Sequence, residues 1–230
     1  VGANHCVSVE KVGEGNFNKA YRLEMEDGRR VIAKIPHPIA GPPVLTTASE
    51  VATMEFARTI LNIPVPKVLA WGATDQNPVS TEYIIMEEAK GSQLHEVWEG
   101  LPLRTKLDVI REIVDVERKL LSISFSQYVA PRQEQCLYLA WLTSFRRIGS
   151  LYFNDCGIVG SMPAEAATDS KDISERIQSR FCIGPIVRRE FWEKERSNMS
   201  QYHGPCRSLP PIRMQWSAHG SCREIIHRIP

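Results

Sequence analysis

Glu14-Gly15-Asn16-Phe17-Asn18-Lys19 and, a little further on, Val31-Ile32-Ala33-Lys34 are the residues from which the fold is read. On the near side of the first run, Val7-Ser8-Val9-Glu10-Lys11-Val12 alternates apolar and polar residues. On the far side, Ala20-Tyr21-Arg22-Leu23-Glu24-Met25 does the same. A period of two predicts half-buried strands, here joined by a small glycine-containing turn. Asp27-Gly28 is a second hairpin signal, and Arg30-Val31-Ile32-Ala33-Lys34-Ile35 makes a third strand, stopped by Pro36 and Pro38. A tight turn beside a strand lysine suits phosphate chemistry. Backbone N–H groups in the turn can face phosphate oxygens, and a lysine on a rigid strand holds a fixed positive charge. One Gly beside an Asn is equally ordinary hairpin chemistry, so the rest of the chain has to decide.

Beyond the third strand, Thr46-Thr47-Ala48-Ser49 reads as a helix start. Val51, Met54, Ala57, Ile60 and Leu61 recur at helical spacing over 48–62. Ile63-Pro64-Val65-Pro66 ends that helix. Lys67-Val68-Leu69-Ala70-Trp71-Gly72 and Glu82-Tyr83-Ile84-Ile85-Met86-Glu87 read as two further strands. The expectation for residues 7–90 is therefore an α+β lobe with a five-stranded antiparallel sheet and one helix. Leu103 to Ile123 carries Leu107, Ile110, Ile113, Val114, Leu120 and Leu121, the pattern of an amphipathic helix. It opens an incomplete, mainly helical second lobe over 91–200, with Ser150-Leu151-Tyr152-Phe153 as a short strand or turn and a loop with a short helix over 160–180. Residues 129–148 differ in texture, and residues 201–230 form a tail without periodicity.

Lys34 has a candidate partner in Glu50, near the start of the predicted helix. A lysine that holds nucleotide phosphates is itself positioned by a carboxylate from the adjacent helix. Glu87-Glu88-Ala89, after an apolar strand, offers a link whose backbone could meet an adenine edge. A surface ion pair and an ordinary buried strand are the plainer readings of the same residues.

Composition narrows the classes. With 230 residues, 43% hydrophobic and 24% charged, the chain has the make-up of an ordinary globular protein with ample core. A formal net charge of +1 gives no reason to expect nucleic acid as a partner. Six scattered cysteines without a C-x-x-C suit a reducing, intracellular compartment. No apolar run approaches the ~20 residues of a membrane helix, so no membrane span is expected. The chain opens on Val1, so a natural start and any targeting peptide are expected to precede it.

The runs E-G-N-F-N-K (14–19), V-I-A-K (31–34), T-T-A-S-E-V-A-T-M-E-F-A-R (46–58), I-P-V-P-K-V (63–68) and E-Y-I-I-M-E (82–87) together resemble the fungal branch of the aminoglycoside phosphotransferase, protein-kinase-like superfamily. Within it, they are most similar to the altered-inheritance-of-mitochondria protein 9 group. The resemblance covers residues 7–128 densely and resumes at Gly149–Phe153, at Arg180–Pro185 and at Phe191-Trp192. It implies a kinase-like small lobe that binds ATP with Mg²⁺, and a family activity of ATP-dependent phosphoryl transfer to a small-molecule hydroxyl. Gly15, Asn16 and Phe17 would cover the phosphates, Lys34 would contact them, and Glu50 would orient the lysine. The backbone near Glu87 and Ala89 would take the adenine. A mitochondrial location is implied on the same ground.

The sequence also departs from that pattern. Phosphoryl transfer in the superfamily needs an aspartate in an H-x-D-x-x-x-x-N loop and a second aspartate for Mg²⁺. No H-x-D occurs in the chain, and its last aspartate is Asp172. No catalytic residue and no metal ligand can therefore be assigned, ATP binding is expected to be weak or lost, and the chain is expected to be inactive. The expected cause is that it stops short of the catalytic loop. Residues 129–148 read as an insert, either a retained intron or a surface loop. One alternative is a non-catalytic, nucleotide-binding or scaffolding pseudokinase. Another is a zinc-binding tail, because His203-x-x-Cys206 and His219-x-x-Cys222 could supply two nitrogen and two sulfur ligands.

Overall fold

The computed structural model describes residues 3, 5–125, 149–168, 170–189, 192 and 203–205. The predicted insert at 129–148 and nearly all of the 201–230 tail lie outside the described residues.

Five strands form one antiparallel sheet: β1 (Cys6–Glu14), β2 (Asn18–Met25), β3 (Arg30–Pro36), β4 (Val68–Gly72) and β5 (Tyr83–Glu87). Their spatial order is β1-β2-β3-β5-β4. The β1–β2 hairpin closes on the predicted turn, with Glu14 opposite Lys19 and the Gly15 N–H donating to the Asn18 carbonyl at 2.9 Å. The second hairpin turns at Asp27-Gly28, where φ of +77° suits glycine. The Asp27 carboxylate accepts from the Arg29 N–H there, at 3.0 Å.

Helix α1 (Leu45–Thr59) begins three residues before the predicted start at 48 and ends three before the predicted end at 62. Thr47, Ala48, Val51, Ala52 and Phe56 on its inner side are buried. Part of what they pack against comes from much later in the chain. Strands β7 (Ser150–Phe153), β10 (Phe181–Gly184) and β8 (Met162–Pro163) form a three-stranded sheet in the order β7-β10-β8. Helix α4 (Lys171–Arg180) runs directly into β10, and a two-stranded ladder joins β6 (Ser124–Phe125) to β9 (Ala166–Ala167). Ala52, Phe56, Ile60 and Leu61 share one hydrophobic cluster with Ala164, Ile177, Phe181 and Ile183. At its centre the Phe56 ring meets the edge of Phe181 at 5.5 Å.

Two glycines allow this sheet to close. A Cβ on Gly184 would sit 2.8 Å from the Tyr152 ring, and one on Gly149 would sit 2.5 Å from the Gly184 carbonyl oxygen, so neither position accepts a side chain without movement. Tyr152 is fully buried, and its hydroxyl donates to the Pro185 carbonyl at 2.7 Å. Burial also pushes its phenol well above the ordinary tyrosine pKa.

The later part of the chain is thus less helical than its sequence suggested. α2 (Leu94–Val97), α3 (Leu103–Leu121) and α4 are helical, but β8 and β10 were not foreseen. Their apolar runs, four residues or fewer, are too short for periodicity to identify. Glu55, on α1, joins the two parts of the chain: its carboxylate accepts from Arg180 at 2.9 Å and from Arg58 at 3.0 Å, pinning α4 to α1. Burial alone would raise the Glu55 pKa, but the hydrogen bonds from the two arginines outweigh it and hold the carboxyl below its ordinary value.

Candidate functional site

The Lys34 ammonium donates to the Glu50 carboxylate, joining β3 to α1. The pair is partly buried, with the lysine side chain 20% exposed and the glutamate 34%. The sequence places both residues. Lys34 follows the apolar run that makes β3 an inner strand between β2 and β5, and Glu50 lies in the second turn of α1. Its neighbours Ser49 and Val51 are buried against the rest of the molecule.

The registers fix what lies to either side. Lys34 pairs with Ala20 on β2, and Asn18 pairs with Pro36, so the Gly15-Asn16-Phe17 turn lies just beyond the lysine at one end of the sheet. On the other strand Lys34 pairs with Ile84, and Val31 pairs with Glu87. The Glu87–Ala89 link therefore lies at the opposite end, about 10 Å along β3 at three residues' rise. Along β3 the sheet sets three of the features singled out in the sequence in one order, turn, lysine, link, with Glu50 reaching in from α1.

The details differ from the expectation at two of these positions. The Gly15 N–H is already bonded within the hairpin, to Asn18. The Glu87 N–H donates to the Lys67 carbonyl at 3.0 Å, and the Glu87 carboxylate accepts from the Lys67 N–H at 3.1 Å. Lys67, immediately before the edge strand β4, thus engages the group expected to face adenine. Ala89 is exposed, beyond the last residue of β5. Between them, Glu88 turns onto the sheet, accepting from Arg22 at 2.7 Å and facing Arg30 at 3.4 Å.

Gly15 is informative in another way. A Cβ there would meet nothing within 4 Å, so no contact among the described residues requires glycine at the tip. Phe17, beside it, carries the Arg189 guanidinium 4.6 Å above its ring. Its carbonyl accepts from the His37 N–H at 2.7 Å. Arg189 and Trp192 also wall a groove of about 440 Å³ against Pro38, Ile39, Pro42 and Leu45. Sequence reading missed Arg189, and no local signal marks it, because the contact exists only once β10 has packed beside α1.

Among the described residues no group of three or more His, Cys, Asp or Glu side chains is placed to hold a metal ion. Of the four residues of the zinc alternative, Cys206, His219 and Cys222 lie outside the described residues, and His203 stacks on Trp192 with ring centroids 4.0 Å apart. Among the described residues no helix is long and apolar enough to cross a membrane.

What the fold and site define is an α+β unit in which a sheet lysine is paired with a helix glutamate behind a β-hairpin tip. Its similarity to known proteins is clear over most of the chain. It is 38% identical over 211 residues to a protein of Aspergillus fumigatus named subtelomeric hrmA-associated cluster protein, covering 90% of this chain and 34% of the relative. It is 26% identical over 215 residues to altered inheritance of mitochondria protein 9, mitochondrial, of Meyerozyma guilliermondii, covering 90% of this chain and 32% of that one. With the Candida tropicalis protein of the same name it shares 28% over 222 residues, again covering 32% of the relative. The chain spans about a third of the length of these relatives. No protein-family model matches it.

Proposed function

We propose that residues 6–89 are the nucleotide-binding half of a protein-kinase-like fold of the aminoglycoside phosphotransferase type, and that the ligand is ATP. The observation that carries this reading is the Lys34–Glu50 pair between β3 and α1, set one strand in from the β1–β2 turn. Lys34 would offer its ammonium to the α- and β-phosphates, and Glu50 would hold that ammonium in place. Asn16 and Phe17, at the tip, would cover the phosphates, and the space beside Gly15 would let backbone approach them. With the Glu87 N–H bonded to Lys67, the adenine edge would fall to the backbone nearer Ala89.

Phosphoryl transfer to a small-molecule hydroxyl is the activity this fold would serve in a longer protein. A transfer step needs an aspartate to accept the hydroxyl proton and carboxylates for Mg²⁺, and the sequence has no H-x-D and no aspartate after Asp172. The described carboxylates do not assemble a metal site. We therefore propose that this chain on its own binds nucleotide without transferring phosphate, as a pseudokinase does. The names of the relatives support a mitochondrial setting.

The test is ATP-dependent thermal stabilisation of the purified chain. A ligand at a hundredfold excess over its Kd adds about 2.7 kcal/mol of stability. The native chain is expected to shift upward with ATP, and Lys34→Met to lose the shift, each measured against that variant's own ligand-free melting temperature. A native chain indifferent to ATP would overturn the reading.

A further inference from the structure

The N-terminus of α1 has no side-chain cap of its own, and its Leu45 and Thr46 N–H groups donate to the Pro43 and Pro42 carbonyls at 2.7 and 3.1 Å. Val44 precedes it, no local side chain accepts from its first N–H groups, and its first turn holds no acidic residue. Val44 also has φ of +67° with ψ of −52°, a γ-turn conformation that a β-branched residue resists. The first N–H groups of any helix need acceptors from elsewhere. Here one comes from a residue well outside the helix. Glu82 accepts the Val44 N–H through Oε1 at 2.9 Å and the hydroxyl of buried Thr47 through Oε2. A carboxylate at this end of a helix is also favoured by the aligned peptide dipoles.

The place of Glu82 in the fold makes the cap more than a local repair. It immediately precedes β5, in which Ile84 is the register partner of Lys34. One end of the cap is thus fixed to the strand beside the lysine, and the other to the first turn of α1, three residues before Glu50. Lys34 and Glu50 meet across a gap that Glu82 spans a second time.

We infer that Glu82 is a positioning residue for the nucleotide site: by capping α1 through Val44 and Thr47, it sets the helix against the sheet so that Glu50 reaches Lys34. This rests on the nucleotide reading above for its ligand, but the strut itself can be measured without one.

The experiment uses the whole chain with Glu82→Ala, the milder Glu82→Gln, and Val44→Gly. Calorimetric titration compares ATP, which needs Lys34, with adenosine, which does not. Glu82→Ala is expected to weaken ATP about tenfold and leave adenosine unchanged, with Glu82→Gln in between because one carbonyl acceptor remains. Adding Val44→Gly to Glu82→Ala should recover part of the loss, since glycine takes a positive φ with less strain. In a native chain that binds ATP, equal weakening of both ligands, or none, would overturn the inference. A double-mutant cycle on ligand-free melting, Glu82→Gln against Glu50→Gln, reads the link directly. Coupled losses support the strut, and additive losses sink it whether or not ATP binds. Coupling in a native chain that ignores ATP would keep the strut and remove the nucleotide reading.

Discussion

Helices α1 and α3 make an instructive pair. Both are amphipathic by sequence, and α3, with nineteen residues against fifteen, has the cleaner stripe. Yet α1 is walled in on its apolar side and carries Glu50, whereas α3 has no buried residue. Leu107, Ile110 and Ile113 are each close to half exposed. An isolated helix of this length is marginal in water, and most helical stability in proteins comes from packing. A period of 3.6 residues identifies an apolar face but does not say what covers it. For α1 part of that cover is supplied by β7, β10 and α4, from more than ninety residues further along the chain.

The sharpest way to break this contrast is to empty the cover of α1. Phe181 is fully buried against Phe56, and Phe181→Ala is expected to cost about 3–5 kcal/mol, read by denaturant unfolding. A loss below about 1 kcal/mol would mean that α1 does not depend on β10.

The next effect concerns the polar seam between the same elements. Glu55→Ala removes the acceptor shared by Arg58 and Arg180, with an expected cost of about 1–2 kcal/mol. The same carboxyl gives a signed pH dependence. Its folded pKa lies below the ordinary 4.5, so its stabilisation is fully present above that value and is lost as pH falls through the folded pKa. Acid unfolding profiles of native protein and Glu55→Gln should converge at low pH and separate above about 4.5. Profiles that stay parallel down to low pH would refute the assignment.

The smallest effect belongs to α3. Ile110→Ser, on a side chain 47% exposed, is expected to change stability by less than about 0.5 kcal/mol. A larger loss would show that something in solution covers this face, and would make the two helices alike after all.

Much of the candidate site was legible in the residues. Lys34 stands out because it ends a V-I-A-K run behind a turn, and Glu50 because it falls near the start of a predicted helix. The link after β5 was legible as the end of an apolar strand. What was not legible were the contacts that deny backbone groups to a ligand or add side chains to the site. The Glu87 N–H is taken by Lys67 across a strand pair whose register no local pattern reveals. Arg189 reaches Phe17, and Glu82 reaches Val44 and Thr47, only through packing.

By itself the sequence determined the five-stranded antiparallel sheet, the two main helices and the hairpin tip, because alternation, helical spacing and turn chemistry act within a few residues along the chain. The tertiary structure alone decided which helix is buried, which carboxylate caps it, and what surrounds the lysine. Those outcomes depend on contacts between residues far apart in the chain, whose energies come from excluded water and shared hydrogen bonds rather than from any local preference.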